Sequence, residues 1–183
     1  MSDVSNVSAS APKVGGALYR APKGTACPTD ATTALNAAFK SLGYMSQDGL
    51  VNSWTTESSE QKAWGGDVVD DNETGKTDTF AGTLIEALNV EVLKSVYGKE
   101  NVTGDISTGI TVNVNGDKQE EACWVADMIL RGGVLKRIVI PSGKITTVGD
   151  ITYNDSTPIG YNITIKAFAD ESGSTHKEYI KKG

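Results

Sequence analysis

The chain has 183 residues, 38% of them hydrophobic, and a formal net charge of -6; this is enough chain for one sizeable core, and an acidic balance argues against a nucleic-acid clamp, which grips phosphate with Lys and Arg. No stretch approaches the roughly 20 apolar residues that cross a bilayer, and Met1–Ser8 carries neither a basic nor an apolar leader region. With Cys27 and Cys123 the only cysteines, there is no disulfide framework, which points to two free thiols in a protein made and kept in the cytoplasm.

Residues 1–16 read as an arm ahead of a single domain over 17–183. The first 13 are Ser-rich and lack either structural period, so any order in them is expected to come from a partner. A short strand is expected over Val14–Arg20, after which Pro22, Gly24 and Pro28 break the chain. Asp30 is a plausible N-cap, and Leu35, Ala38, Phe39 and Leu42 follow at helical spacing, so a short amphipathic helix is expected before Gly43. From Gly43 to Leu84 the turn signals at Asp48-Gly49, Gly65-Gly66 and Gly75-Lys76, with strand-like pieces between them, predict an extended, partly mobile hairpin region. Its charge is one-sided: Asp48–Glu91 holds ten acidic residues and two lysines, or -8, leaving the remainder slightly basic.

The clearest helix spans 89–98, with Asn89 as N-cap, Glu91 near the positive end of the dipole, Gly98 past the end, and Val92, Leu93 and Val96 as its apolar stripe. Thr111–Val114 then runs into Asn115-Gly116, a hairpin turn signal, with Ala122–Leu130 as the return strand. Gly132-Gly133 leads into Val134–Ile140, a strand that Pro141 is expected to end. Lys144–Tyr153 and Ile159–Phe168 form a third pair, in which Ile163, Ile165 and Ala167 alternate with Asn162, Thr164 and Lys166, and a last strand is expected over Thr175–Ile180. Regularly spaced strands beside one lateral helix imply a mainly β fold, a β-sandwich or barrel.

Little here suggests catalysis. His176 is the only histidine and reads as an exposed edge-strand residue, so no triad is expected. Asp67, Asp70, Asp71 and Glu73 miss the spacing of a calcium loop and read as a solvated acidic loop; no cofactor is expected. Gly75-Lys76-Thr77 lacks the upstream glycine of a phosphate loop. Trp124 reads as core. Trp54 and Trp64 lie in the acidic hairpin region, where burial against another subunit would remove costly apolar exposure; the alternative is a β-sandwich that uses them as a carbohydrate-binding platform.

Ala34–Gly49 (ALNAAFKSLGYMSQDG), Trp64–Asp67, Thr83–Tyr97 (TLIEALNVEVLKSVY) and Trp124–Tyr153, with LRGGVLKRIVIPSGKITTVGDI as its most specific part, resemble the major tail tube proteins of long-tailed, non-contractile bacteriophages, those of Gram-positive hosts most closely. The resemblance spans most of Gly16–Ile180 and implies a β-sandwich with a flanking helix that closes into hexameric rings. It further implies that the rings stack into a tube with an acidic lumen, through which DNA is ejected without specific binding. The Ser46–Phe80 loop, residues 1–16 and the C-terminal strand would bridge rings, which makes Trp54, Trp64, Asp67, Asp70, Asp71, Glu73, Lys76 and Phe80 the candidate inter-subunit or inter-ring contacts. Partners implied in the same way are the chain itself, a tape measure protein in the lumen, and terminator and distal tail proteins at the ends. The implied location is the virion tail, after assembly in the host cytoplasm.

Overall fold

The computed structural model describes residues 2–13 and 15–183. In chain order its strands are β1 (Ser10–Pro12), β2 (Leu18–Pro22), β3 (Lys40–Ser41), β4 (Val51–Lys62) and β5 (Val68–Leu84). Helix α1 (Val90–Tyr97) follows, then β6 (Val102–Thr103), β7 (Thr111–Val112), β8 (Ala122–Leu130), β9 (Val134–Val148), β10 (Tyr161–Ala167) and β11 (Lys177–Lys182). Nine strands form one sheet in the order β3-β2-β8-β9-β10-β5-β4, with β1 added to β8 and β11 to β9. Every pairing is antiparallel. Among the described residues no helix is long and apolar enough to cross a membrane.

The sheet is organised by β9. Its first half lies between β8 and β11, and its second half passes to β10. Alternation along each strand gives the sheet two apolar faces. On one, Ala122, Trp124 and Ala126 of β8 meet Ile138, Ile140, Ile163, Ile165, Phe80 and Leu84, and the stripe Val92, Leu93 and Val96 of α1 covers them. On the other, Cys123 and Val125 meet Val139, Ala21 and Phe39. The helix forms where its caps predict: Asn89 accepts from the Glu91 N–H at 3.0 Å, and Gly98, at φ 98°, donates its N–H to the Lys94 carbonyl. The expected alternation in β10 is present, with Tyr161, Ile163, Ile165 and Ala167 buried. Gly132 and Gly133 sit at φ 77° and 75° in the three-residue connection between β8 and β9, a left-handed backbone that glycine adopts without steric cost.

Five local expectations are corrected. The helix before Gly43 does not form: Asp30 does accept from the N–H groups of Thr32 and Thr33, at 2.6 Å each, but the carbonyls of Asp30 and Thr33 accept from the Arg137 guanidinium at 3.0 and 2.7 Å. The segment is thereby held as an irregular cover over the second face, with Leu35, Ala38 and Phe39 against it. The Asn115-Gly116 hairpin is also absent, because β7 pairs with β6. The Asn115 and Asn101 side-chain amides bond each other reciprocally at 3.1 and 2.9 Å, and the expected return strand forms as β8 but pairs with β2 and β9.

Pro141 does not end a strand. It lies within β9 where the register against β8 slips between Ala122 and Trp124, and such an irregularity accommodates a residue with no N–H to donate. The Gly75-Lys76 signal marks a bulge within β5, since Glu57 faces Gly75 while Ser58 faces Glu73. Finally, residues 10–12 of the arm are ordered by their own chain: β1 pairs with Met128–Leu130, and Ser8 Oγ accepts from the Arg131 N–H at 2.7 Å. The first expected strand appears as β2, and Val14, where it was expected to start, lies outside the described residues.

Candidate functional site

The sequence singles out Ser46–Phe80, and the structure makes of it a single antiparallel ribbon, β4 and β5. Only Asp78–Leu84 of β5 also pair with β10, so ten residues of β5, 68–77, have β4 as their sole neighbour. They face the eight residues 55–62 of β4, and at about 3.3 Å per residue this projects roughly 26 Å. All twelve residues of β4 are exposed, as are Val68–Thr74. Both faces of the ribbon are therefore open, and β4 presents an unpaired outer edge. The two bulges, at Thr74 and Val69, each insert one residue into β5 and twist the ribbon. Its turn is closed by the Ala63 N–H donating to the Asp67 carbonyl at 2.8 Å and the Gly66 N–H to the Ala63 carbonyl at 3.0 Å.

Trp64 occupies that turn and is fully exposed, at 107% of its reference area. Trp54 is 69% exposed, with the Lys76 ammonium 5.9 Å from its ring centroid. Lys76 also pairs with Glu73 at 3.0 Å. The two tryptophans lie roughly 25–30 Å apart along the ribbon, too far to form one stacking platform. Asp67, Asp70, Asp71 and Glu73 are all exposed, and among the described residues no group of carboxylate, thiol or imidazole side chains converges to hold a metal. Asp71 instead stands directly opposite Glu60, a like-charge pair that weakens the isolated ribbon. Over Val51–Leu84 seven carboxylates outweigh two lysines, for a net -5.

Phe80 is a correction to the contact list. It is 1% exposed, inside the main core, so it roots the ribbon and offers nothing to a partner. Beside it lies a polar anchor that sequence reasoning did not find. The buried Asp78 carboxylate accepts from Asn52 Nδ2 at 2.7 Å and from the Thr175 hydroxyl at 2.6 Å, and His176 Nδ1 lies 2.5 Å away. His176 also sets its ring edge-on to Phe80, with centroids 5.1 Å apart. Its side chain is 22% exposed, so the expectation of an exposed edge-strand histidine is overturned. The Thr175 hydroxyl bonds the carboxylate and not the imidazole, so the trio fastens the β10–β11 connection to the ribbon root without assembling an activated nucleophile.

A second buried polar unit sits on the opposite face of the sheet. Asp127 and Arg137, cross-strand partners in β8 and β9, form a two-pronged ion pair at 2.6 and 2.8 Å, with side chains 6% and 1% exposed. The hydrogen bond to Asp127 raises Arg137 above its ordinary value. Both units carried one usable signal: Asp78 is in phase with Phe80 and Leu84, and Asp127 with Cys123 and Val125, so a carboxylate occupies the buried position of an alternating strand. A cleft of about 490 Å³ opens between β1, residues 43–50 and the end of β8.

A family model described as phage tail tube protein matches residues 7–183. No curated protein matches the chain.

Proposed function

Since this chain belongs to the phage tail tube protein family and is a structural component of a phage tail, we propose that its copies close into hexameric rings which stack into the tube that conducts DNA at ejection. The observation that carries this reading is the projecting ribbon. A 12-residue strand exposed throughout, with an open edge and a fully exposed tryptophan in its turn, is unstable economy for a monomer and suits a surface that docks on another copy. Lateral contacts that pair open strand edges head to tail close a ring when the rotation closes, and the same type of contact stays open along the axis.

In this reading the ribbon, through Trp54, Trp64 and the acidic residues Asp67, Asp70, Asp71 and Glu73, bridges adjacent rings together with residues 1–16 and β11. The net charge of -6 favours an acidic channel wall that DNA slides past without binding. A tape measure protein would fill the lumen before ejection, and terminator and distal tail proteins would cap the ends. Assembly would take place in the cytoplasm of a Gram-positive host. Negative-stain microscopy of the purified protein at high concentration, paired with sedimentation analysis, tests the assembly. Six-fold rings or tubes are expected, and a particle that stays monomeric at all concentrations sinks the proposal.

A further inference from the structure

Residues 23–39 cover the second face of the sheet without helix or strand, and three attachments hold the segment down. Lys23 pairs with Glu121 at 2.6 Å, Arg137 takes the carbonyls of Asp30 and Thr33, and Cys27 reaches Cys123 on β8, with the sulfurs 3.5 Å apart. Cys123 is buried, while Cys27 is partly open to solvent. The thiols form a short donor chain: Cys27 donates to Cys123 Sγ, and Cys123 to the Pro141 carbonyl at 2.9 Å.

We propose that Cys27 and Cys123 are an oxidation site, at which a small-molecule disulfide such as oxidised glutathione converts the two thiols into an intramolecular disulfide that fastens the 23–39 cover to β8. A disulfide bond is about 2.05 Å long, so the sulfurs close by roughly 1.5 Å, a displacement within reach of a loop that carries no ladder hydrogen bonds. The neighbouring thiol also eases ionisation: the hydrogen bond from Cys27 lowers Cys123 to about 7 in spite of its burial. One sulfur of the pair, as thiolate, attacks the oxidant's disulfide and expels one glutathione thiolate. The second sulfur, having lost its proton to solvent, attacks the mixed disulfide and expels the other. Two electrons pass to the oxidant, two protons leave the protein, and one S–S bond forms.

The site lies away from the ribbon, and the inference does not depend on how copies assemble. Because the crosslinked residues are 96 apart in the chain, the closed loop constrains the unfolded state strongly. The expected rise in thermal midpoint is roughly 5–15 °C. The test incubates the folded protein with oxidised glutathione, then reads intact mass, free thiols after denaturation, peptide maps and thermal midpoint. Loss of two hydrogens, no free thiol, a Cys27–Cys123 peptide and a higher midpoint that dithiothreitol reverses are expected, with no midpoint change in Cys27→Ser, whose site is partly exposed and so keeps its fold. Two thiols still titratable, glutathione retained on either cysteine, a crosslink formed only in urea, or a crosslink that leaves the midpoint unchanged would each overturn it.

Discussion

Among individual residues the largest stakes lie with buried charge. Arg137 neutralises Asp127 and at the same time satisfies two carbonyls of the covering segment, so Arg137→Met removes both functions and leaves the buried carboxylate only the more distant, partly exposed Lys13 ammonium at 3.7 Å. A loss of about 3–5 kcal/mol is expected in urea unfolding, and the double variant Asp127→Leu/Arg137→Met should recover part of it, since no buried carboxylate then remains there. Exposed carboxylates act through pH. Asp105 is held down to about 2, first by the Ser107 hydroxyl and then by the Thr108 and Ser107 N–H groups; Asp30 and Asp170 are lowered in the same way, by Thr33 and Ser172 first. These hydrogen bonds favour the ionised form, so their contribution is present above the ordinary value of 3.8 and is lost as pH falls toward 2. The gap in thermal midpoint between wild type and Asp105→Ala should therefore shrink as the pH is lowered from 5 to below 3.

At the level of elements, the ribbon separates folding from assembly. Trp64 touches no core, so Trp64→Ala should leave unfolding stability within about 0.5 kcal/mol of wild type while reducing tube yield in micrographs. Phe80→Ala, sixteen residues on and at the ribbon root, should cost about 3–5 kcal/mol. Replacing Ser58–Lys76 with Asn-Gly should give a folded protein that forms no tubes; normal tubes would remove the ribbon from ring stacking. How much of each element was legible in the sequence depended on where its hydrogen bonds go. Helix α1 was readable because its caps, Asn89 and Gly98, are local. The helix expected after Asp30 was not, because the residue that takes its carbonyls, Arg137, is 107 positions away.

For the whole molecule, the arm and the sheet edges decide how copies meet. Because β1 already occupies the Met128–Leu130 edge of β8, deleting residues 1–13 should leave a folded chain with that edge bare and should lower tube formation, which sedimentation and microscopy would read together. Tubes of ordinary length would exclude the arm from the axial contact.

The amino-acid sequence by itself determined the fold class, the position of α1, the alternation of β10, the Gly132-Gly133 turn and the acidic, aromatic character of 46–80, since each follows from periodicity, capping or composition within a few residues. The family followed from the order and extent of longer stretches. Only the tertiary structure decided that most of this region is one ribbon open on both faces, that Phe80 belongs to the core, and that buried Asp78 takes the half-buried His176, and buried Asp127 the buried Arg137, as partners. The reason is physical: burial and pairing of polar groups are set by residues distant in the chain, which a local pattern does not contain.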